Sequence, residues 1–406
     1  MNRECKFRGA YVERDISWMY FNHRILQEAG KEYAPLLERL SFLGIYSNNL
    51  DEFYRVRMAS LNRYLESESL TRKEVANIKR TIKTITKLNE SYSKEYDRVT
   101  GNVLRELESH KIRLINETML NGEQKSFIKR FFYDKLNGSL TPIWLSEMED
   151  ISCLEDNRIY LLVERDDLVE GKVQYAIVRV PDRVYGRFIR VPASGGFDNI
   201  MYLDDVVRFC LPLVFIGFRP SKYHAYSFKF TKDAEMEITN EGDYGTMERI
   251  AQGVNSRKRG EAIRVIYDKD MPHEARKKII ERLNLHELDT TLASGRYHNH
   301  KDLMSFPAGG HPELKYPEWE QLMKPEFLSE RSLLTAIREK DRFIHVPYHS
   351  FNGYIRLLRE AALRPEVREI KTTLYRLAKD SKVVKALIAA ARNGKKVTAV
   401  VELLAR

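Results

Sequence analysis

The C-terminal stretch of the chain has the pattern of a strand, a helix and a second strand. A short β-rich run ends at Arg376, and a mostly apolar run leads to Arg406. Between them, apolar residues at helical spacing begin after Asp380 or Ser381, and Gly394 provides a left-handed stop. A helical crossover of this length makes the two strands parallel, so their carboxyl ends meet at one edge of the sheet. We therefore expect Arg376 and Arg406 to lie close together.

Two arginines at the carboxyl edge of a parallel sheet predict an anion site. Ligands of open α/β sheets bind in that crevice, and the guanidinium fork matches the oxygens of a phosphate group. The alternative is that each arginine is a solvated charge at the end of a strand. Because a two-stranded parallel sheet cannot bury both of its faces, we also expect the sequence to be the front part of a longer protein.

The composition indicates a globular protein with anionic partners. The chain has 406 residues, 43% of them hydrophobic, which is enough for two or three cored domains. Its 68 basic and 58 acidic residues give a net charge of +10. This charge favours polyanionic partners such as nucleic acid, nucleotides, polyphosphate or an anionic membrane surface.

Cysteine usage and the lack of apolar runs favour a cytoplasmic protein. The three cysteines, Cys5, Cys153 and Cys210, are far apart and lack the spacing of metal ligands, which argues against a disulfide framework or a zinc site. The N terminus has no apolar core of the kind found in signal peptides, and no apolar run is long enough to span a bilayer.

Residues 1–110 are predicted to form an N-terminal helical bundle. The first helix is expected to turn an apolar face inward, made of Trp18, Phe21, Ile25 and Leu26. A long helix from Lys73 to His110 carries one apolar stripe, which suits an antiparallel bundle or self-association.

The run Phe42–Phe53 predicts a helix with an interruption. Gly44, Asn48 and Asn49 break its apolar period, and Asn49 is expected to cap the helix that follows. The pattern by itself favours this structural interpretation. The functional alternative is an amide that faces a ligand, because asparagine offers both a donor and an acceptor to the edge of a nucleobase.

Residues 111–317 predict an α+β domain. The expected elements are strands at 160–163, 174–180, 188–191, 226–230 and 262–267, and helices at 204–210 and 272–283. The densest polar cluster is Gly295–Asp302, which contains His298 and His300. No carboxylate or thiol pattern marks a metal site there, so a structural loop, or an anion contact through Arg296, is the stronger interpretation.

Residues 318–406 predict an α/β region. The run Phe343–Phe351 is expected to form a strand followed by a polar turn, and a helix follows at 351–362. His345 and His349 have no nucleophile or base at a telling distance in the sequence, so we assign neither a catalytic role. The absence of a P-loop, a kinase-type glycine-rich loop and a Gly-x-Ser-x-Gly elbow excludes the common phosphoryl-transfer and hydrolase scaffolds.

Several stretches carry a family resemblance when they are taken together. They are Ser17-Trp18 with Phe21-Asn22, Phe42–Phe53, Arg264–Pro272, Gly295–Asn299, Pro347-Tyr348-His349, and Tyr375-Arg376 through Val401–Arg406. In this order they resemble polyphosphate kinase of the type that works through a phosphohistidine. The similarity runs from about Glu13 to the last residue. The sequence departs from the family pattern at Ser294, where glycine is usual, and at Leu404, where glutamine is common.

The resemblance implies an N-terminal helical domain, a head domain and the start of the first of two catalytic domains built like phospholipase D. It implies reversible transfer of the terminal phosphate of ATP to polyphosphate through a phosphorylated histidine, with Mg²⁺ as cofactor. Asn49 matches the family position that contacts adenine, and Arg376 and Arg406 match positions of the magnesium and phosphate site. Because arginine is a poor metal ligand, we expect both to contact phosphate oxygens beside the ion.

The phosphorylated histidine of the family lies beyond the position that matches Arg406, so we expect the sequence as it stands to bind without making polyphosphate. The expected partners are ATP, ADP, inorganic polyphosphate and further copies of the chain, with possible peripheral contact to the inner membrane face and no nucleic acid. Two alternatives stay open. One is another phospholipase D-like transferase, and the other is a non-catalytic basic module that binds polyphosphate or nucleotide.

Overall fold

The computed structural model describes residues 11–66, 70–148, 154–155, 158–218, 221–232, 262–282, 290–307, 309–328, 331–378 and 380–402. The chain divides into two compact units, Met1–Tyr316 and Pro317–Arg406, and both mix helices with strands. The first unit contains the predicted helical and head regions. The predicted α/β region lies in the second unit.

Helices open the first unit. They are α1 (Arg14–Ala29), α2 (Leu36–Phe53), a π turn (Tyr54–Met58), α3 (Ala59–Glu66) and α4 (Arg72–Ser109). The long helix predicted at 73–110 is confirmed, and Thr71 begins it with a capping box that Glu74 completes. The inner face predicted for α1 is wrong at Phe21, which is 57% exposed. The prediction is confirmed at Leu26, which is buried, and at Trp18 and Ile25, which pack against the core, while Met19 and Asn22 are buried where Phe21 was expected.

The interruption predicted in Phe42–Phe53 is wrong, because α2 continues through Gly44 and Asn49 and leads directly into the π turn. Gly44 has a different reason. A Cβ atom there would lie 2.7 Å from the side chain of Met304 and 3.1 Å from the carbonyl oxygen of Lys301. The glycine therefore lets a 3₁₀ turn, His300–Ser305, pack directly against the helix.

We expect Gly44→Ala to destabilise the first unit by about 1 to 3 kcal/mol, because the added methyl group overpacks this contact by more than alanine gains in helix propensity. Urea denaturation measures the change. The matched control is Gly101→Ala in α4, where a Cβ atom meets nothing within 4 Å, and which should stabilise the protein by about 0.5 to 1 kcal/mol. A Gly44→Ala variant as stable as the wild type would contradict the packing argument.

The rest of the first unit is built mainly from strands. In chain order the elements are β1 (Ile112–Ile115), α5 (Gly122–Phe131), a π turn (Phe132–Leu136), β2 (Ile143–Trp144), β3 (Tyr160–Asp167), β4 (Val173–Arg179), α6 (Asp182–Tyr185), β5 (Phe188–Ser194), β6 (Phe197–Tyr202), α7 (Leu203–Val214), β7 (Ser221–Lys232), β8 (Ala262–Asp268), α8 (His273–Arg282) and β9 (Thr290–Ser294). The five strands and two helices predicted in this region are confirmed.

These strands form two sheets. One has the order β1-β6-β5, and the other has the order β2-β4-β3-β7-β8-β9. The pairs β1·β6 and β8·β9 are parallel, and the other pairs are antiparallel. Strand β3 is buried on both faces. Leu161 and Val163 join a core with α7, while Tyr160 and Leu162 join another with α8, as the two-residue period of a strand requires.

The second unit contains α9 (Pro325–Leu328), α10 (Leu333–Glu339), α11 (Asn352–Leu363), β10 (Glu369–Leu374), α12 (Lys382–Arg392) and β11 (Lys396–Val401). The predicted strand, helix and parallel strand are confirmed, with β10 and β11 paired in register from Glu369↔Lys396 to Leu374↔Val401. Ser381 is the helix cap, and Gly394 has the predicted positive φ of 79°.

The strand predicted at Phe343–Val346 is wrong. Residues in this run are largely exposed, and within the described ranges the pairing nearby is limited to an isolated bridge between Leu322 and His349. The apolar residues of this run therefore have no sheet partner among the described residues. In the described ranges, no helix combines the length and apolar character needed to cross a bilayer.

Candidate functional site

Arg376 follows β10 at the carboxyl edge of the parallel pair. The backbone N–H of Glu402 donates to the carbonyl of Leu374 at 3.2 Å, so the two strands are still paired where they end. Arg376 is exposed, and its guanidinium carbon lies 5.9 Å from the centre of the Tyr375 ring. Arg406 lies outside the described residues, so its predicted approach to Arg376 stays a prediction.

Asn49 belongs to the first unit, and its side chain faces α1. Its Nδ2 donates to Oδ1 of Asn22 at 3.2 Å. Asn22 is 1% exposed, and its own Nδ2 donates to the carbonyl of Tyr46 at 3.2 Å. Within the described part of the chain, Oδ1 of Asn49 accepts no hydrogen bond, and one N–H remains for a further acceptor.

Two more cross-helix contacts continue from this pair of asparagines. The rings of Trp18 and Phe53 are stacked with their centroids 4.2 Å apart. Arg57 donates to both carboxylate oxygens of the buried Asp15, at 2.9 and 3.0 Å. Asn22, Trp18 and Asp15 lie one turn apart along α1, and Asn49, Phe53 and Arg57 are four residues apart from α2 into the π turn. We call these three contacts the α1–α2 ladder.

The contacts of the α1–α2 ladder were not predicted from the sequence. Each of the two segments has a polar, an aromatic and a charged residue three or four positions apart, and this spacing was visible in the sequence. Which residue contacts which, however, is known only once the two helices are seen to pack antiparallel. Burial raises the pKa of Asp15. The salt bridge with Arg57 is nevertheless bidentate, which is the strongest geometry available to a carboxylate.

The opposite side of α2 borders a cavity of about 320 Å³. Tyr46, Leu50 and Asp51 of α2 line it, together with residues of α4, β8 and β9 and with His300. Asn49 is not among its lining residues. The cavity and the α1–α2 ladder are therefore separate features of the same helix.

The polar segment Gly295–Asp302 is a structural junction. The guanidinium of Arg296 contacts Asp205 at 2.8 Å and also Glu117, and Tyr297 donates to Asp205 at 2.6 Å. The anions that Arg296 binds are therefore carboxylates of the protein. No group of three or more His, Cys, Asp or Glu residues in the described ranges could hold a metal ion.

Both histidines of this segment are accounted for by packing. Nε2 of His298 lies 3.1 Å from the carbonyl oxygen of Ser227, and because a carbonyl only accepts, Nε2 carries the proton. Burial lowers the pKa of His298 to about 3 and that of His300 to about 4, so both are neutral at neutral pH. In the second unit, Nδ1 of His349 accepts the backbone N–H of His345 at 3.0 Å, which gives His349 a role in the turn.

Three family models match the chain in order. They describe the N-terminal domain, the middle domain and the C-terminal domain 1 of polyphosphate kinase, and they match residues 11–115, 123–306 and 332–406. The chain belongs to the polyphosphate kinase family.

Individual relatives agree with this assignment. The chain is 37% identical over 401 residues to polyphosphate kinase of Yersinia pestis, covering 98% of this chain and 58% of the relative. It is 37% identical over 413 residues to polyphosphate kinase of Escherichia coli strain K12, with the same shares. The crystal structure of polyphosphate kinase from Porphyromonas gingivalis superposes with a TM-score of 0.76 at 31% identity, over 97% of this chain and 56% of that one. The chain thus spans a little over half the length of these polyphosphate kinases.

In this polyphosphate kinase family member, the burial of His298 predicts a pH-dependent stability. The folded pKa is lowered, so below about pH 6.5 the unfolded state takes up a proton that the folded state does not, and stability falls as the pH falls toward about 3. The wild type should therefore lose about 2 kcal/mol relative to His298→Gln between about pH 7.5 and about pH 5.

Urea midpoints of both proteins across this pH range measure the effect. The matched control is His224→Gln, which removes an exposed histidine of β7 and should leave the difference from the wild type constant. A constant difference between the wild type and His298→Gln would show that His298 is not held neutral by burial.

Proposed function

We propose that this chain is part of an ATP:polyphosphate phosphotransferase, which transfers the terminal phosphate of ATP reversibly to inorganic polyphosphate. The observation that carries the proposal is the ordered match to relatives named polyphosphate kinase over 98% of the chain. The histidine that carries the phosphate is proposed to lie beyond the position of Arg406. The chain itself then supplies groups that bind and orient the nucleotide and the phosphates.

We propose the domain layout that the sequence predicts: a helical bundle at 1–110, a head domain at 111–317 and the first part of a phospholipase D-like domain at 318–406. The parallel β10-α12-β11 unit supports the last assignment, because it provides a sheet with a defined carboxyl edge. Self-association and peripheral membrane contact are proposed on the family resemblance and the basic charge alone.

Arg376 is proposed to bind phosphate oxygens, together with Arg406. Phosphoryl transfer is accelerated mainly by positioning and by neutralising charge on the oxygens of the transferred group. An exposed guanidinium at the carboxyl edge of parallel strands suits this task, because its planar fork pairs with two oxygens at once.

Mg²⁺ is proposed to arrive with the nucleotide and to be held mainly by its phosphate oxygens. Arg376 cannot ligate a cation, and the described residues provide no cluster of metal-ligating side chains. This ion commonly keeps several waters and binds through substrate phosphates with one or two carboxylates. The ion supplies further neutralisation of the phosphate charge when it is bound.

Arg376→Ala is expected to lower turnover at least about tenfold in an enzyme that contains this chain and the phosphohistidine, because a charge-assisted contact to the reacting phosphate is lost. Initial rates of magnesium-dependent polyphosphate synthesis from ATP measure the change. The control is Arg368→Ala, which removes an exposed arginine just before β10, at the other edge of the sheet. Wild-type rates for Arg376→Ala, with folding intact, would exclude the assigned role.

Asn49 is proposed to contact the adenine base. The edge of adenine presents an amino donor beside a ring acceptor, and Asn49 has an unused Oδ1 and one remaining N–H within the described part of the chain. The contact with Asn22 fixes the rotation of the amide. The side chain is therefore held in one orientation before the base arrives.

Asn49→Ala is expected to weaken ATP binding by the 406-residue chain about tenfold, because a hydrogen-bonded base edge is left without its partner. GTP binding should change little, since guanine presents the reverse donor and acceptor pattern. Titration calorimetry with both nucleotides measures the two affinities. The control is Asn48→Ala at the exposed neighbouring position. No loss of affinity for either nucleotide would instead favour a module that binds phosphates without reading the base.

A further inference from the structure

The second unit contains a basic groove between α11 and α12, with a volume of about 400 Å³. Its lining residues are Asn352, Ile355, Arg356 and Arg359 of α11, and Lys382, Lys385, Ala386 and Ala389 of α12. On each helix these positions have the spacing i, i+3, i+4 and i+7, which is one continuous face. The groove is therefore formed by the full facing stripes of two helices.

Among the described residues the charge of this basic groove is one-sided, because four of the eight that line it are cationic and none of these eight is acidic. Arg356 is fixed in place by donating to the carbonyls of Phe327 at 2.6 Å and Arg331 at 2.9 Å. Carbonyl oxygens leave its positive charge uncompensated. Lys385 contacts Asp380 at 2.6 Å, and both side chains of that pair are more than half exposed.

Arg359 and Lys382 are exposed, and neither forms an ion pair within the residues that the structure describes. The carboxylate nearest to Lys382 in sequence, Asp380, pairs with Lys385, and the one nearest to Arg359, Glu360, is also occupied. It accepts from the hydroxyl of Ser332 and, at 2.8 Å, from the backbone N–H of Leu333. An anion entering the groove therefore meets two cations that have no protein counter-charge.

The topology of the second unit connects this groove to the edge that carries Arg376. Helix α12 begins at Lys382, shortly after β10 ends at Leu374. Helix α11 ends at Leu363, just before β10 begins, so its first residue, Asn352, lies toward the same carboxyl edge. Both helices thus begin at this end, where their dipoles add positive potential to the side-chain charges.

We propose that the basic groove binds the polyphosphate chain behind its reacting end. This inference rests on the proposed function, and it extends the phosphate contact at Arg376 into a track for a linear polyanion. Ala386 and Ala389 contribute only methyl groups to the lining, which leaves room for a chain of tetrahedral groups. None of the described residues that line the groove is aromatic, so they offer no stacking surface for the bases of a nucleic acid.

The test is binding of long-chain polyphosphate by the 406-residue chain carrying both Arg359→Gln and Lys382→Gln. We expect the affinity for long-chain polyphosphate to fall at least about tenfold, with a much smaller change for tripolyphosphate, which is too short to occupy the groove and the edge together. The slope of log affinity against log salt concentration should also become shallower by about 1.4 to 1.8, because two phosphate contacts are lost.

The matched control carries Arg368→Gln and Arg392→Gln, which remove the same charge from exposed positions outside the groove. Equal losses in the two double variants would overturn the proposal, since net charge alone would then explain binding. A single-stranded DNA oligonucleotide that binds as tightly as polyphosphate and shows the same loss would overturn the assignment to polyphosphate. Thermal melting checks that each variant is folded.

A further experiment distinguishes failure of the groove proposal from failure of the proposed function. The same double substitution, placed in an enzyme that contains this chain and the phosphohistidine, should shorten the polyphosphate product while synthesis from ATP continues. Normal product lengths with normal synthesis would exclude the groove and leave the function standing. Absence of any synthesis by the wild-type enzyme would exclude the function itself, and with it the role given to the groove.

Discussion

An ammonium group that is almost fully buried holds the first unit together. Lys229 of β7 is 1% exposed, and its Nζ lies 2.6 Å from Asp51 of α2 and 2.8 Å from Oδ1 of Asn299. Removing one partner of such a buried pair costs about 3 to 5 kcal/mol, because the other charge stays buried without compensation. The contact therefore fixes α2 against both the sheet and the Gly295–Asp302 segment, and Asn299 adopts the left-handed φ of 54° that the arrangement requires.

The position of α2 determines what each of its faces can do. With Asp51 directed toward Lys229 and Gly44 packed under Met304, the remaining face meets α1 through the α1–α2 ladder. A flexible amide would lose conformational entropy on binding a base, whereas the amide of Asn49 is already ordered by Asn22. The π turn that follows Phe53 then brings Arg57 to Asp15, which closes the ladder at its far end. The proposed adenine contact thus depends on packing that begins on the opposite side of the helix.

Elements with strong local patterns could be predicted from the sequence. The apolar stripe of α4 and the strand-helix-strand pattern of β10, α12 and β11 are such cases, because periodicity and capping residues are local. Gly44 and Asn49 were misinterpreted as a helix break because their partners, Met304 and Asn22, are distant in the chain. The exposure of Phe21 and the absence of a strand at Phe343–Val346 were missed for the same reason, which is that local pattern does not reveal tertiary neighbours. An apolar residue or a β-rich run becomes buried or paired only if the tertiary structure provides a neighbour, and propensity does not contain that information.

The net charge of +10 does not by itself locate a surface for an anionic chain. In the first unit, Arg187, Arg208 and Lys229 each lie within 3 Å of a carboxylate oxygen, so their fields are largely cancelled where they arise. Arginine suits these buried pairs because its fork is weakly hydrated and matches a carboxylate. In the second unit, Arg359, Arg376 and Lys382 are exposed, and among the described residues they form no ion pair. A cation without a protein counter-charge contributes its full potential to an approaching polyanion, so these three, among the described residues, are the ones that we propose to bind phosphate groups in this unit.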